Sequence, residues 1–102
     1  MIEAVDHVAI AVPDIDDALR YYAGHLALPL LLREDQPEVG VRVAYLQTAN
    51  VRLQLVEPTS AGPVHDFVAE RGGGLHHVCF AVRDLSAALR RFSPEGAPAV
   101  RT

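Results

Sequence analysis

The residues with the clearest chemical potential are two histidines, His7 and His77, which lie 70 positions apart in similar local sequence. The segment HVAIAVPDIDDALRYY begins at His7, the segment HVCFAVRDLSAALRRF begins at His77, and they are identical at eight of sixteen positions. Such self-similarity indicates one supersecondary unit that is used twice. A neutral imidazole is a common ligand of divalent metals. The repeat therefore raises the hypothesis of a metal site built from both copies.

Each copy predicts a strand, a helix cap and a helix. A short apolar stretch leads to an aspartate, Asp14 or Asp84, which is placed to accept hydrogen bonds from the first N–H groups of an amphipathic helix. Side chains alternate along a strand, so His7 shares a face with the small residues Ala9 and Ala11, and bulky residues form the other face. We expect the bulky face to pack on helices and the histidine face to line a cavity.

Further elements are predicted between the two copies. Three strands are expected over residues 28–34, 39–47 and 50–58. Residues 48–50 connect the last two as a hairpin, and a helix follows from Pro63 to Arg71. The glycines at 72–74 are interpreted as a linker, because a phosphate-binding loop needs glycines that lead from a strand into a helix.

Pairing of the two copies is expected to bring His7 and His77 together on the concave face of the sheet, with Gln54 joining them from the strand at 50–58. Two imidazoles and oxygen donors suit Co²⁺, Mn²⁺, Ni²⁺ or Zn²⁺ and suit Ca²⁺ poorly. A single strand histidine is more often a satisfied core residue, and a strand glutamine is more often solvated. Recurrence of the histidine in both copies is what favours the metal hypothesis.

Composition excludes several other classes of protein. A length of 102 residues with half of them apolar predicts one compact domain. The net charge is −4, and the nine cationic residues, all arginine, are scattered, so nucleic acid is not expected as a partner. The N-terminal segment has neither a basic region nor the length of a membrane span. The single cysteine, Cys79, favours a reducing, cytoplasmic setting.

Three segments carry a resemblance to a known family: DHVAIAVPDIDDALRYY, LQLVEP and FVAERGGGLHHVCFAV. They closely resemble segments of the methylmalonyl-CoA epimerases, which belong to the vicinal-oxygen-chelate or glyoxalase-like superfamily. The resemblance extends over nearly the whole chain. The first-strand histidine is common to many glyoxalase-like proteins, whereas QLVEP together with ERGGGLHHV is much more specific to the epimerases.

The resemblance implies a fold, a ligand set and a reaction. The fold is α+β, with paired βαβββ modules and a concave mixed sheet: a single domain over residues 1–102, a first module at 1–62 and a second module that begins at 74–102 and is incomplete. The implied metal ligands are His7, Gln54 and His77. The implied reaction is epimerisation of methylmalonyl-CoA by proton exchange at the α-carbon, through an enolate that the metal stabilises.

The chain departs from the family pattern at two places. The family places a glutamate as fourth ligand near position 124, beyond Thr102, and we interpret the chain as truncated. Val43 stands where some members carry a glutamate proposed as an acid–base group. No pair of proton-transfer residues is therefore identified, and the catalytic residues stay unknown.

Two other functions stay open. One is a non-catalytic small-molecule-binding protein like the bleomycin-resistance proteins, which the fold alone does not exclude. The other is a different metalloenzyme of the superfamily, a lyase or dioxygenase, although Gln54 fits the two-histidine, one-carboxylate iron site of dioxygenases less well. A homodimer is expected, because unpaired sheet edges favour association.

Residues close to the three candidate ligands are interpreted as structural. Glu57 lies an odd number of positions from Gln54, so it is expected on the opposite face, where it would cap or pair. By the same alternation His76 is expected to point away from His77. Cys79 is expected to face the cavity as a small buried residue.

Overall fold

In the computed structural model of the protein, residues 2–92 and 99–101 are described. The elements follow in the order β1 Ile2–Ala11, α1 Ile15–Leu19, a π-helical segment Arg20–His25, β2 Leu30–Gln36, a 3₁₀ turn Pro37–Val39, β3 Val41–Gln47, β4 Arg52–Pro58, α2 Pro63–Arg71, β5 Gly74–Val82, α3 Leu85–Phe92 and β6 Ala99–Arg101. Across the described residues the strands form one sheet in the order β2-β3-β4-β1-β5-β6.

The sheet is mixed, as predicted. β1 pairs in parallel with β4, and β5 pairs in parallel with β6. β1 and β5, the strands that open the two copies of the repeat, lie side by side and run antiparallel. The α+β architecture and the concave mixed sheet predicted from the sequence are therefore confirmed, whereas the division into modules at 1–62 and 74–102 stays a prediction.

The aspartates of the repeat cap their helices as expected. The Asp14 carboxylate accepts hydrogen bonds from the backbone N–H groups of Asp16 and Asp17. The Asp84 carboxylate accepts one from the N–H of Ala87, at 3.0 Å. These bonds satisfy N–H groups that a helix leaves free in its first turn, and so they fix where each strand gives way to a helix.

The predicted strands start about two residues too early, for local reasons. Ala27 adopts a left-handed φ of 58°, and Pro29 carries no N–H, so β2 begins only at Leu30. The 3₁₀ turn that ends at Gly40, with φ of 71°, delays β3 to Val41. The hairpin is where it was expected, closed by the Thr48 N–H donating to the Val51 carbonyl at 3.2 Å.

The two faces of the sheet carry different cores. Under α1, the buried Val12, Ile15 and Leu55 form an apolar cluster, against which Ile10 packs. The bulky face thus packs on a helix, as predicted. The opposite, concave face carries a smaller cluster of buried residues, against which Val64 of α2 packs. A helix therefore also covers part of the concave face, which the sequence did not predict.

The glycine segment has a packing role as well as a linking one. Gly73 has a φ of 123°, and a Cβ at this position would lie 2.8 Å from the carbonyl oxygen of Ala11. Only glycine allows the chain to pass so close to the end of β1 as it enters β5. Among the described residues, no helix has the length and apolar character needed to cross a membrane.

The ladder between β1 and β5 is irregular at two positions that matter for the site. Val5 pairs with Phe80 and His7 pairs with Cys79, so Asp6 is an extra residue on β1. Ala9 pairs with His77 and Ile10 pairs with Leu75, so His76 is an extra residue on β5. Each is a β-bulge, which re-aims the side chains around it.

Candidate metal centre

Ala9 lies at the centre of the three predicted ligands. It pairs with Gln54 on β4 and with His77 on β5, and His7 lies two residues before it on β1. Cross-strand partners share a face of a sheet, and so do alternate residues of one strand. The three side chains therefore surround the small methyl group of Ala9 on the concave face, as the sequence predicted.

The two histidines are close to each other, and His7 is buried whereas His77 is half-buried. The ring centroids of His7 and His77 are 5.7 Å apart, with the rings at 73° to each other. His7 is only 4% exposed, and Gln54 is only 8% exposed. Both are therefore polar residues held inside the protein, a position that costs free energy unless their polar atoms find partners.

Gln54 has one atom that lacks such a partner. Its Nε2 donates a hydrogen bond to the Tyr45 hydroxyl at 2.9 Å, which orients the amide. Its Oε1 is buried, and within the described part of the chain it has no hydrogen-bond partner. Buried polar atoms are nearly always satisfied, so this oxygen calls for an explanation. A cation held jointly by His7, Gln54 and His77 would satisfy it, and the donor set fits a borderline divalent metal.

His7 contacts Asp6, which is paired with the oppositely charged side chain of Arg52. The Asp6 carboxylate oxygen Oδ2 lies 2.8 Å from His7 Nδ1 and also accepts a hydrogen bond from Arg52 Nη2 at 2.8 Å. Burial works to raise the pKa of the Asp6 carboxyl, but the hydrogen bonds from His7 and Arg52, with the charge of Arg52, together hold that pKa below its usual value. Asp6 is therefore an ionised acceptor at neutral pH. Arg52 also lies over the Tyr45 ring, 5.1 Å from its centroid.

The prediction for His76 is wrong. Strict alternation would send it to the face opposite His77, but the bulge at His76 places the two rings together, with Nδ1 of one 2.8 Å from Nδ1 of the other. His76 also contacts Phe67 of α2 edge-on, at 5.0 Å between centroids. His76 therefore belongs to the surroundings of the candidate centre.

A second group of donors overlaps the first. Asp6, His7 and Cys79 each offer a ligand atom, and these atoms all lie within 4.8 Å of one another. Cys79 is buried, as expected, and it pairs with His7 across the β1–β5 ladder. Because both groups share His7, they compete for the same metal rather than forming two sites. Asp6 in the second group is already bonded to Arg52, so we favour the set of His7, Gln54 and His77.

A cavity of about 370 Å³ opens beside the centre. Its lining includes the polar residues Gln54, His65 and His77 and is largely apolar, with Val41, Val43, Val56 and Val64 among the lining residues. The volume lies within the range of small-molecule sites. This cavity can receive a small aliphatic group while polar atoms of the ligand face the imidazole and the amide.

Other predicted placements are confirmed. Glu57 does lie on the opposite face, where its Oε1 accepts a hydrogen bond from the Ile15 N–H at 3.2 Å. Val43 is buried on the cavity side and offers no proton-transfer atom. Directly opposite Val43 on β2 lies Glu34, which shares the cavity face of the sheet because cross-strand partners do. The sequence did not single out Glu34, since only the β2–β3 register reveals its position.

The fold and the geometry of the site together define a glyoxalase-like domain. Residues 6–102 match the Glyoxalase/Bleomycin resistance protein/Dioxygenase superfamily. The chain therefore belongs to this superfamily, as its motifs predicted.

The chain is also similar to individual proteins and to solved structures. The chain is 36% identical over 99 residues to an ethylmalonyl-CoA/methylmalonyl-CoA epimerase of Cereibacter sphaeroides, covering 95% of this chain and 74% of that protein. It is 41% identical to an uncharacterized Bacillus subtilis protein, YqjC, covering 89% of this chain and 66% of that protein. A Mycobacterium tuberculosis methylmalonyl-CoA epimerase structure superimposes with a TM-score of 0.82 at 33% identity, covering 88% of this chain and 62% of that one. The chain thus spans just under two thirds of two of these three relatives.

The environment of His77 predicts a pH dependence. Burial, followed by the charges that His76 and His7 would carry, lowers the pKa of His77 below the usual 6.5. We expect its ring proton resonances in NMR to titrate with a midpoint below 6.5. Between the pKa of His77 in the unfolded chain and its lower pKa in the folded chain, the unfolded chain binds a proton and the folded chain does not. The free energy of unfolding must therefore decrease as the pH falls through this window.

Above the unfolded-state pKa of His77, its full contribution to the free energy of unfolding is present. The variant His77→Asn should lack the pH dependence that His77 causes. Urea unfolding of the wild type and of His77→Asn, compared across that window, measures the effect. A midpoint at or above 6.5 for His77 would contradict the burial described above.

Proposed function

We propose that this chain forms the metal-binding part of an epimerase that acts on methylmalonyl-CoA or a closely related acyl-CoA. The observation that carries the proposal is the convergence of His7, Gln54 and His77 around Ala9, with the buried Gln54 oxygen unpartnered in the described residues. Its support from outside the chain is the 36% identity to an epimerase of that substrate class.

His7, Gln54 and His77 would hold a divalent cation, with Co²⁺, Mn²⁺, Ni²⁺ and Zn²⁺ as the candidates. When bound, the metal supplies Lewis-acid stabilisation of negative charge on substrate oxygens, worth several kcal/mol. Such stabilisation is what the reaction needs, because the α-proton between a thioester and a carboxylate is only weakly acidic.

The chain's own residues contribute orientation and exclusion of water. The valine walls of the cavity would take the alkyl substituent of the substrate and keep water from the α-carbon. As ligands that line the cavity, Gln54 and His77 would place the metal where the carbonyl and carboxylate oxygens of the substrate could reach it. We expect a substrate held in this way to place its α-carbon beside the valine wall that includes Val43.

Glu34 is our candidate for a proton-transfer group. Val43 cannot exchange a proton, and Glu34 lies directly opposite it on the same face of the sheet, exposed at the edge strand β2 and outside the lining of the cavity. Its neighbour Asp35 points to the other face, where it accepts a hydrogen bond from Arg42 Nε at 2.7 Å. The two adjacent carboxylates therefore form a natural pair of test and control.

The alternative function is a non-catalytic binding protein with the same cavity. The specific observation in its favour is Val43, because this residue of the cavity wall offers no atom that can exchange a proton. The acyl-CoA substrate is part of the proposal. The homodimer and the cytoplasmic location stay predictions.

Deuterium exchange at the substrate α-carbon tests the function directly. Incubated in D₂O with methylmalonyl-CoA, Co²⁺-loaded protein should incorporate deuterium, and loss of several kcal/mol of stabilisation on chelation should slow incorporation at least about 100-fold. His7→Ala should behave like chelated protein. His25→Ala, which changes an exposed histidine, is the control and should behave like the wild type. Tight binding of the acyl-CoA without exchange would instead establish the binding function.

Glu34→Gln tests the proton-transfer group. General acid–base catalysis contributes about 10²- to 10⁴-fold, so we expect the exchange rate to fall by at least about 100-fold while Co²⁺ binding is unchanged. The matched variant Asp35→Asn should retain the wild-type exchange rate, because Asp35 lies on the other face. Equal rates for Glu34→Gln and Asp35→Asn would remove Glu34 from the mechanism.

A further inference from the structure

The residues that precede the two histidines, Asp6 and His76, also occupy equivalent positions of the repeat although they are not identical. An offset of 70 positions aligns His7 with His77, and it also aligns Asp6 with His76. Asp6 and His76 are different residue types, yet each makes the same contact: a polar atom of its side chain lies 2.8 Å from Nδ1 of the histidine that follows it. The two copies of the repeat thus place a hydrogen-bonding partner on the same nitrogen of both candidate ligands.

The backbone makes these contacts possible. In a regular strand, neighbouring side chains point to opposite faces, so residue 6 could not reach the ring of residue 7. Three residues are extra in the β1–β5 ladder, Glu3 and Asp6 on β1 and His76 on β5, and the bulges at Asp6 and His76 lie beside the two histidines. These two bulges therefore also correspond in the repeat, and each turns a polar side chain towards a histidine.

The contact to Asp6 selects one tautomer of His7. An ionised carboxylate only accepts hydrogen bonds, so Nδ1 of His7 must carry the proton. The lone pair is then on Nε2, the other nitrogen of the ring. Arg52 donates to the same carboxylate oxygen at 2.8 Å and holds it in place. This is the arrangement by which carboxylates orient metal-binding histidines in many proteins.

The contact to His76 presents two possibilities. In a pair of neutral imidazoles joined through Nδ1, one ring donates and the other accepts. Only if His77 donates does Nε2 of His77 carry a lone pair that can bind a metal. His76 then accepts on Nδ1, and its ring is held by edge-on contact with Phe67 of α2, at 5.0 Å between centroids.

We propose that Asp6 and His76 are equivalent positioning residues, which hold His7 and His77 in the Nδ1–H tautomer so that Nε2 of each ring faces the metal. This inference rests on the proposed metal-dependent function, but its first consequence is visible in metal-free protein. Asp6 acts here through His7 and does not bind the metal itself. Cys79, which lies in the same small group as Asp6 and His7, has no part in the site.

Histidine tautomers are read from the ¹⁵N shifts of the two ring nitrogens in long-range ¹H–¹⁵N spectra of the metal-free protein. We expect His7 and His77 in the Nδ1–H form in the wild type. Asp6→Ala should shift His7 towards the Nε2–H form and leave His77 unchanged, and His76→Ala should do the reverse. Asp6→Asn, whose amide oxygen can still accept from Nδ1, should retain the His7 tautomer and shows that the effect is not one of folding.

Calorimetric titration with Co²⁺ gives the second readout. Loss of a partner that orients a ligand typically weakens metal binding about 10- to 100-fold, and we expect this for Asp6→Ala and His76→Ala. Glu3→Ala is the matched control, because Glu3 is an acidic residue of the same strand, also lies at a register shift, and pairs with Arg83 at 3.1 Å. Its affinity, and that of Cys79→Ala, should equal that of the wild type.

An Nε2–H tautomer for His7 or His77 in the wild type overturns the proposal, as do unchanged tautomers in both alanine variants. Loss of Co²⁺ binding in Cys79→Ala also overturns it, since Asp6 would then be a ligand in a site with Cys79. Absence of Co²⁺ binding in the wild type would contradict the proposed function but not the proposed roles of Asp6 and His76. The tautomers of the metal-free protein then decide the positioning claim by themselves.

Discussion

The antiparallel ladder between β1 and β5 is the constraint on which the candidate site depends. It places the first strands of the two repeat copies side by side. The equivalent histidines of the two copies, His7 and His77, therefore lie with their ring centroids 5.7 Å apart. β4, pairing in parallel on the other side of β1, adds Gln54. The small side chain of Ala9, flanked by both neighbours, leaves room for the three donors to converge. A bulkier residue there would fill the space with carbon and separate the ligands.

Most polar atoms inside this face are satisfied by neighbouring side chains, and one is not. Tyr45 occupies the amide nitrogen of Gln54, which leaves the amide oxygen buried and without a hydrogen bond in the described residues. Asp6 occupies one nitrogen of His7. Arg52 connects these two supports, since it donates to Asp6 and lies over the Tyr45 ring. A buried polar group is costly when unsatisfied, and this cost is the physical reason for our proposal that the arrangement holds a cation.

Much of this could be predicted from the sequence, because strand alternation and repetition are local patterns. They assigned His7 and Ala9 to one face and Glu57 to the other, and they predicted that His7 and His77 lie close together. The roles of Asp6 and His76 could not be predicted in this way. Alternation sends both away from the histidines, and the bulges that reverse this arise from the register between β1 and β5, which no local pattern encodes. Glu34 was missed for a similar reason, because its place opposite Val43 depends on the β2–β3 register.

The central claim is that His7, Gln54 and His77, and not the overlapping group of Asp6, His7 and Cys79, hold the metal. The X-ray absorption spectrum of the Co²⁺-loaded protein at the cobalt edge tests it most directly, because it distinguishes sulfur from nitrogen and oxygen ligands. We predict a shell of nitrogen and oxygen with the scattering of two imidazoles and no sulfur. A metal–sulfur distance of about 2.3 Å, as for thiolate bound to zinc, would assign the metal to Cys79 and contradict the account.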